Sequence, residues 1–209
     1  MAVKSYALTT LARLKDFIGI SVATYDTILE TIIDVCTDIV EAETGRRFKQ
    51  TSYSNEEYHG SGQNTLVLKN YPVVSGETFN LEKRGAVTRE DNWNSIDSEL
   101  YYVDEEAGII TMAGSGIFLK VPYHYRVTYT AGYNFDNAGG GSTLNDVGIG
   151  DLEIAFWKLC NNVYAGRKSQ TGIKSESIGN YSVTFGELMS TDKWFENVIN
   201  KYKRNPLIY

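Results

Sequence analysis

Residues 8–48 constrain the fold of this 209-residue chain more than any other segment. Apolar residues recur there at helical spacing in a short run that stops at Gly19, and a longer run with the same spacing then stops at Gly45. Glycine is typical of a helix C-terminus because it tolerates the left-handed backbone found there. The segment therefore predicts two consecutive helices, each burying one face.

Each of these helices has a start signal and an apolar stripe. The hydroxyl of Thr9 or Thr10 can cap the first, and Thr24 marks the start of the second. The first stripe holds Leu11, Leu14, Phe17 and Ile18, and the second holds Tyr25, Ile28, Leu29, Ile32, Ile33, Cys36, Ile39 and Val40. The opposite face of the second helix is acidic, with Asp26, Glu30, Asp34, Asp38 and Glu41.

After Phe48 the hydrophobic pattern changes from helical to alternating, which predicts strands. The predicted strands are residues 52–58, 65–70, 78–83, 100–103, 108–113 and 123–133. HGSGQN is typical of a turn joining the first two, and DEEAG of a hairpin turn between two later ones. We expect one small antiparallel sheet or a barrel-like sandwich.

The C-terminal third returns to helical spacing after a glycine-rich loop. GGGS in that loop lacks the lysine and the spacing of a phosphate-binding loop. A broad apolar stripe predicts a helix from Asp151 to Gly166, and a second helix is predicted from about Thr191. Residues 181–185 alternate as a short strand or an extended arm.

These elements predict an α+β fold in which two N-terminal and two C-terminal helices form a helical core, with an antiparallel β subdomain inserted between them. The predicted segments are a helical hairpin (1–48), a β-rich subdomain (49–133), a Gly-rich loop (134–150), C-terminal helices completing the helical core (151–203) and a C-terminal arm (204–209).

Composition argues against several kinds of site. The net charge is −6 and the basic residues are scattered, unlike the clustered basic surface of a DNA-binding protein. His59 and His124 are the only histidines and follow no metal-site spacing, so we predict no catalytic, cofactor or metal-binding residues. Cys36 and Cys160 fall on apolar helix faces, which favours buried thiols over a disulfide. The sequence shows no membrane-spanning or secretory segment, so assembly in the cytoplasm is expected.

Four phrases resemble the head–tail connector (neck adaptor) family of tailed bacteriophages. They are LTTLARLKDFIGI, TGRRF, EEYHGSGQNTLVLKNYPVVS and IGNYSVTFG. The resemblance is strong over residues 8–75 and weaker over 150–209. It implies a structural, non-enzymatic protein of the virion neck, assembled in the host cytoplasm as a ring of twelve. The implied partners are the portal protein and a downstream stopper or tail-terminator protein, and DNA passes through without specific binding.

Three groups of residues are candidates for this role. The resemblance implies portal contact by the C-terminal arm, here Lys203, Arg204, Asn205, Pro206, Leu207, Ile208 and Tyr209. The acidic face at Asp34, Asp38 and Glu41 is a candidate channel lining that repels DNA; an ordinary solvated face and a cation site are the alternatives. The broad stripe offers Ile154, Phe156, Trp157 and Leu159 as a subunit interface.

The fifteen tyrosines support a second hypothesis. Six of them concentrate in the β region, namely Tyr101, Tyr102, Tyr123, Tyr125, Tyr129 and Tyr133. Exposed aromatic side chains on strands can bind glycans or a host protein, which would make the chain a soluble ligand-binding module. A carboxylate-based hydrolase ranks below both hypotheses, because no pair of acidic residues with suitable spacing emerges.

Overall fold

The computed structural model describes residues 3–85, 92–135, 142–144, 146–169 and 193–204. The chain divides into two compact units. The described parts of Met1–Phe48 and Asn134–Lys203 form a helical unit, and those of Lys49–Tyr133 form a β unit. The predicted α+β class, with antiparallel sheets inserted between N-terminal and C-terminal helices, is confirmed.

The N-terminal helices begin and end close to their sequence signals. Helix α1 (Leu11–Ile18) is capped by Thr10, whose hydroxyl accepts a hydrogen bond from the Arg13 amide at 3.2 Å. A 3₁₀ turn that contains Thr24 leads into α2 (Asp26–Thr44). Gly19 and Gly45 end the two helices in the left-handed conformation, with φ of 71° and 69°.

The C-terminal helices are α3 (Gly150–Ser169) and α4 (Lys193–Tyr202). The end predicted at Gly166 is wrong, because α3 continues through it. Glycine inside a helix costs about 1 kcal/mol relative to alanine, which packing of the rest of a helix can offset. The predicted arm at 181–185 and residues 136–141 and 145 of the Gly-rich loop lie outside the described residues. Among the described helices, none has the length and hydropathy needed to cross a membrane.

The helical core is built from one face of each helix. Its buried apolar residues include Leu14 of α1; Leu29, Ile33, Cys36 and Val40 of α2; Leu152, Phe156, Leu159 and Cys160 of α3; and Phe195, Val198, Ile199 and Tyr202 of α4. Cys36 and Cys160 are both buried as free thiols, which confirms that prediction. Helix α2 contacts each of the other three helices and is thus the centre of the unit.

The β unit contains two antiparallel sheets. Its described strands are β1 (Thr51–Tyr58), β2 (Thr65–Val67), β3 (Asn80–Arg84), β4 (Trp93–Ser95), β5 (Tyr101–Asp104), β6 (Ile109–Met112) and β7 (Tyr125–Ala131). One sheet has the order β1-β7-β3-β4 and the other β2-β6-β5. Leu66 and Ile110 of the second sheet share a buried core with Leu81 and Val127 of the first, so the unit is a sandwich.

Three details of the strand prediction are wrong. HGSGQN does not close a hairpin, because β1 and β2 belong to different sheets. Strand β4 was missed, since three residues are too few to show an alternating pattern. Strand β7 begins at Tyr125, because Tyr123 has a positive φ of 49° and cannot continue the pleat. The DEEAG turn does join a hairpin, between β5 and β6.

Candidate assembly surfaces

The three predicted channel-lining carboxylates share one side of α2. Other residues of the same unit lie against them. Asp34 accepts a hydrogen bond from the Lys4 backbone amide at 2.8 Å, and Asp38 accepts one from Lys4 Nζ at 2.6 Å. The bond to Asp38 is the main reason that the pKa of Lys4 is raised. Tyr6 also donates to Asp38, at 3.3 Å. These carboxylates therefore hold the N-terminal segment in place.

Glu41 differs from its two neighbours because it is more enclosed. Burial raises the pKa of its carboxyl, although a hydrogen bond from the Phe48 amide acts in the opposite direction. Asp38, by contrast, keeps a side chain that is 52% exposed. Of the predicted channel-lining residues, Asp38 is therefore the one with the most surface to offer a passing duplex. Among the described residues, no cluster of His, Cys, Asp and Glu is arranged to hold a metal ion.

The four predicted interface residues divide into two pairs. Phe156 is fully buried and Leu159 is 2% exposed, so both belong to the subunit's own core and cannot contact a neighbour. Ile154 is 42% exposed, and Trp157 is half-buried. The difference follows from helix geometry, because Phe156 and Leu159 lie at the centre of the apolar stripe and the other two lie at its margins.

Trp157 is held by α1 and by the chain that precedes it. Its ring lies 5.2 Å from that of Phe17 and 5.2 Å from the Arg13 guanidinium. Its indole N–H donates to the Thr9 hydroxyl at 2.8 Å. A tryptophan fixed in this way presents apolar surface with little entropy to lose on binding, as interface aromatics do.

Helix α2 exposes large apolar residues, among them Ile28, which the sequence pattern places on the buried stripe. Ile28 is 40% exposed and Val35 is 43% exposed. They are seven residues apart and so lie on the same side of the helix. The helical pattern placed Ile28 on the buried stripe, and only the packing of neighbouring helices shows that it lies outside that stripe.

Most of the C-terminal arm lies outside the described residues. Lys203 is exposed and Arg204 is half-buried; residues 205–209 are not among the described ones. The portal-contact prediction for the arm therefore stays a prediction.

The tyrosine-rich β region is largely core. Tyr125 and Tyr129 are 2% and 1% exposed, and Tyr101 is also buried. Tyr102 and Tyr123 do face outward, at 71% and 52% exposed. Of the six tyrosines behind the predicted glycan-binding or host-binding face, these two are exposed and Tyr133 is half-buried.

The hydroxyl of the buried Tyr129 belongs to a polar network within the β unit. Glu56 accepts hydrogen bonds from Tyr58 and Tyr129 at 2.6 and 2.7 Å, and Lys69 pairs with the same carboxylate at 3.3 Å. Burial is the main cause that raises the pKa of both tyrosines, and Glu56 adds to it. The network joins β1 to β7 and is structural.

Two arginines of the β unit are stacked on one tryptophan, an arrangement the sequence did not indicate. The guanidinium groups of Arg84 and Arg126 lie 4.3 and 4.5 Å from the Trp93 ring. Arg126 also makes two hydrogen bonds to Glu82, at 2.6 and 2.9 Å. These charges are engaged within the β unit and do not form the open basic surface that DNA binding requires.

The histidines have structural surroundings. The His59 ring stacks 4.2 Å from Tyr123. His124 is buried, and burial, together with the nearby charges of Lys83 and Arg84, lowers its pKa.

Comparison with protein families decides between the structural and ligand-binding hypotheses. The model of the head completion protein family matches residues 7–205, which is nearly the whole chain. The chain belongs to this family. Head completion proteins are structural proteins of the virion and not enzymes, so the predicted phage head–tail family and the absence of a catalytic role are both confirmed. No curated protein sequence matches the chain.

Solved structures support the same assignment at the level of the fold. The chain resembles a component of the neck of an empty gene transfer agent (GTA) particle computed with C6 symmetry, at 12% identity and a TM-score of 0.50, covering 98% of this chain and 95% of that one. It also resembles a chain in the virion of a native GTA particle, at 15% identity and a TM-score of 0.51, covering 98% and 93%. Both matches extend over both units of the head completion protein.

Proposed function

We propose that this head completion protein forms a ring of identical subunits at the neck of a phage-like particle. The ring lies beneath the portal, extends the DNA channel and docks a stopper or tail-terminator protein. The family match over residues 7–205 carries this proposal. The fold shared with a chain of a neck computed with C6 symmetry supports it, since a ring of twelve subunits contains a sixfold axis.

The chemistry of the surface is compatible with a protein that surrounds DNA without gripping it. The net charge is −6, and Arg84 and Arg126 are engaged by Trp93 and by acidic groups. An acidic wall repels phosphates and lets a duplex slide. We assign the side of α2 that carries Asp34, Asp38 and Glu41 to that wall.

Ring formation is tested by native mass spectrometry of the purified protein, alone and with portal-bearing capsids lacking their own copy of it. Free rings, or capsids that bind the protein in a fixed multiple of six copies, are the expected result. A subunit that stays monomeric and ignores these capsids would remove the ring proposal. The exposed Tyr102 and Tyr123 would then be the place to search for a ligand.

The portal contact is tested by deleting residues 204–209. These residues follow α4, so the deletion should preserve the fold, which circular dichroism checks. We expect the shortened protein to lose attachment to portal-bearing capsids. Normal attachment would assign the portal contact to another part of the chain.

The channel lining is tested by neutralising the three carboxylates together, as Asp34→Asn, Asp38→Asn and Glu41→Gln. We expect slower DNA ejection from particles that carry this variant. Glu43→Gln is the matched control, since Glu43 is an exposed acid of the same helix outside the group. Urea unfolding of both variants comes first, because the triple change also releases Lys4. Unchanged ejection by a folded triple variant would place this face away from the channel.

A further inference from the structure

Both histidines of the chain lie at the same end of the ladder between β1 and β7. Tyr58 pairs with Tyr125 in that ladder, so His59 and His124 are the next residues on the two strands. The His59 ring also stacks 4.2 Å from the ring of Tyr123. Histidine changes its charge between roughly pH 5 and 8, so this end of the sheet is a candidate for a response to pH.

The surroundings of His124 favour its neutral form. His124 is 3% exposed, and its buried Nδ1 has no hydrogen-bond partner among the described residues. A protonated ring carries an N–H on both nitrogens, so the N–H at Nδ1 would be buried without an acceptor. Burial, and then the charges of Lys83 and Arg84, lower the pKa of His124.

The charged groups near His124 come from β3 and β1. Lys83 and Arg84 of β3 act on it directly. Glu57 of β1 pairs with Arg84 at 3.3 Å, so this carboxylate is already engaged. A proton on His59 would add positive charge at the same end of the sheet. The charges around His124 therefore oppose its protonation.

Arg84 fastens the chain at Tyr123 and His124 to β3. Its backbone amide donates to the His124 carbonyl at 2.9 Å, and its Nε donates to the Tyr123 carbonyl at 2.8 Å. Tyr123 has a φ of 49°, a strained conformation for a bulky residue, which these bonds hold in place. A positive charge on His124 would repel the guanidinium that makes the second bond.

The loop at residues 116–123 ends at this junction. Its exposed large apolar side chains are Ile117, Leu119 and Tyr123, at 50%, 47% and 52%. Earlier parts of the loop have their own bonds, from the Gly60 amide to the Val121 carbonyl at 3.0 Å and from the Leu119 amide to the Tyr125 hydroxyl at 2.8 Å. Arg84 holds the last residue of the loop, so this end can open while the rest stays attached.

We propose that His124 is a pH-sensitive switch: a proton on its ring breaks the two bonds from Arg84 and releases the end of the 116–123 loop from β3. The switch is closed near neutral pH and opens in acid. It lies within the β unit and does not depend on the ring of the proposed function.

Acid favours the open form because only the released histidine binds a proton readily. A released His124 is protonated with a pKa of about 6.5, whereas the buried ring requires a lower pH. The closed form is therefore fully stable above about pH 6.5, and this stability is lost as the pH falls from there through the folded pKa. The change cannot exceed about tenfold for each pH unit.

The switch is tested by hydrogen–deuterium exchange of the full-length protein, with rates corrected for the intrinsic pH dependence of amide exchange. The Arg84 amide reports the junction, and the amide of the buried Val127 reports the central strand β7. From about pH 7.5 to 5.5 we expect opening at Arg84 to increase at least threefold, with about tenfold as the upper limit. Opening at Val127 should change much less. No increase at Arg84, or equal increases at both amides, would overturn the proposal.

Substitution of each histidine identifies the group that responds. His124→Gln cannot take up a proton in this range, so exchange at Arg84 should no longer depend on pH. His59→Gln is the matched control, because His59 is exposed at the same end of the ladder, and this variant should keep the response. Circular dichroism verifies that both variants fold. A response that persists in folded His124→Gln, or disappears in His59→Gln, would contradict the switch.

Nuclear magnetic resonance provides a measurement that leaves His124 unchanged. The wild-type protein has two histidine ring signals, and the one that remains in His59→Gln belongs to His124. We expect this signal to titrate clearly below about pH 6.5. Titration of His124 at or above that pH would refute the switch, whether or not the His124→Gln variant folds.

Discussion

The Glu153 carboxylate, which is buried in α3, accepts two hydrogen bonds from the Arg13 guanidinium of α1, both at 2.8 Å. The Thr9 hydroxyl donates a third at 3.2 Å. A buried carboxylate is stable only when such partners replace the water it has lost. This pair joins residues 140 positions apart in the sequence and ties the first helix to the third.

We expect Arg13→Met to lower the free energy of unfolding of the helical unit by about 2 kcal/mol. Removing one partner leaves a buried charge uncompensated, and the partial exposure of Arg13, at 35%, reduces the usual cost. Urea unfolding followed by the fluorescence of Trp157 and Trp194 measures the change.

Two control variants distinguish the loss of the Arg13–Glu153 pair from a general effect of lost charge. Lys4→Met removes a cation from a solvated pair and should cost much less. The double variant Arg13→Met with Glu153→Met should recover part of the loss, because no buried charge then remains. A double variant no more stable than Arg13→Met alone would contradict this interpretation.

We expect the contribution of Asp151 to the stability of the helical unit to depend on pH. Its burial acts to raise the pKa, but hydrogen bonds from Lys201 and Tyr202 of α4 outweigh this effect and lower the pKa below its usual value. A carboxyl with a lowered pKa stabilises the fold above its unfolded pKa of about 3.9, and this stabilisation is lost as the pH falls through the folded value.

The measurement compares wild-type protein with Asp151→Asn by urea unfolding across that range. Wild-type protein should be the more stable near neutral pH, and the difference should close in acid. Glu196→Gln is the control, as an exposed acid on α4. A constant difference from neutral pH to acid would show that the ionised form of Asp151 does not tie α3 to α4.

Sequence patterns predicted where the helices of this fold lie better than they predicted which residues of those helices are buried or exposed. Gly19 and Gly45 ended helices as expected because their position requires a left-handed backbone, whereas Gly166 has no such requirement and α3 continues. Periodicity also found the stripes of α2 and α3. Periodicity alone does not show which residues at the edges of a stripe stay exposed. Ile28 and Ile154 differ from their buried neighbours only through the packing of other helices.

Contacts between distant residues explain what the sequence could not predict about the candidate surfaces. The acidic face of α2 was visible as a pattern, but nothing local indicated that Lys4 would bind Asp34 and Asp38. Glu153 likewise interrupts an apolar stripe, and its partner Arg13 belongs to another helix. Such pairs depend on the tertiary fold, so a local pattern carries no sign of them.

We expect both thiols of the folded protein to resist labelling by a thiol reagent. Burial is the main cause that raises the pKa of Cys160, and a hydrogen bond with Cys36 adds to it, so the reactive thiolate is scarce. Ellman's reagent should therefore react slowly with the native protein and with two thiols per chain in urea. Two rapidly labelled thiols in the native protein would show that α2 and α3 separate readily.

We expect Gly60→Ala and Gly166→Ala to have opposite effects on stability. A methyl group on Gly60 would lie 1.6 Å from the Leu119 carbonyl oxygen, so the two loops that meet there must separate. Their hydrogen bonds, from Gly60 N–H to Val121 and from Phe118 N–H to Gln63, would be disrupted. The cost to the β unit should be roughly 2–4 kcal/mol, as for other substitutions that overpack a buried contact.

Gly166 is the matched control, because a methyl group there meets nothing within 4 Å and the residue lies inside α3. Alanine has the higher helix propensity and restricts the unfolded chain, so Gly166→Ala should stabilise the helical unit by up to about 1 kcal/mol. Urea unfolding reports both effects, with Trp93 as the fluorescent probe of the β unit. A Gly60→Ala variant as stable as the wild type would mean that the loops at Gly60 and Leu119 can part at little cost.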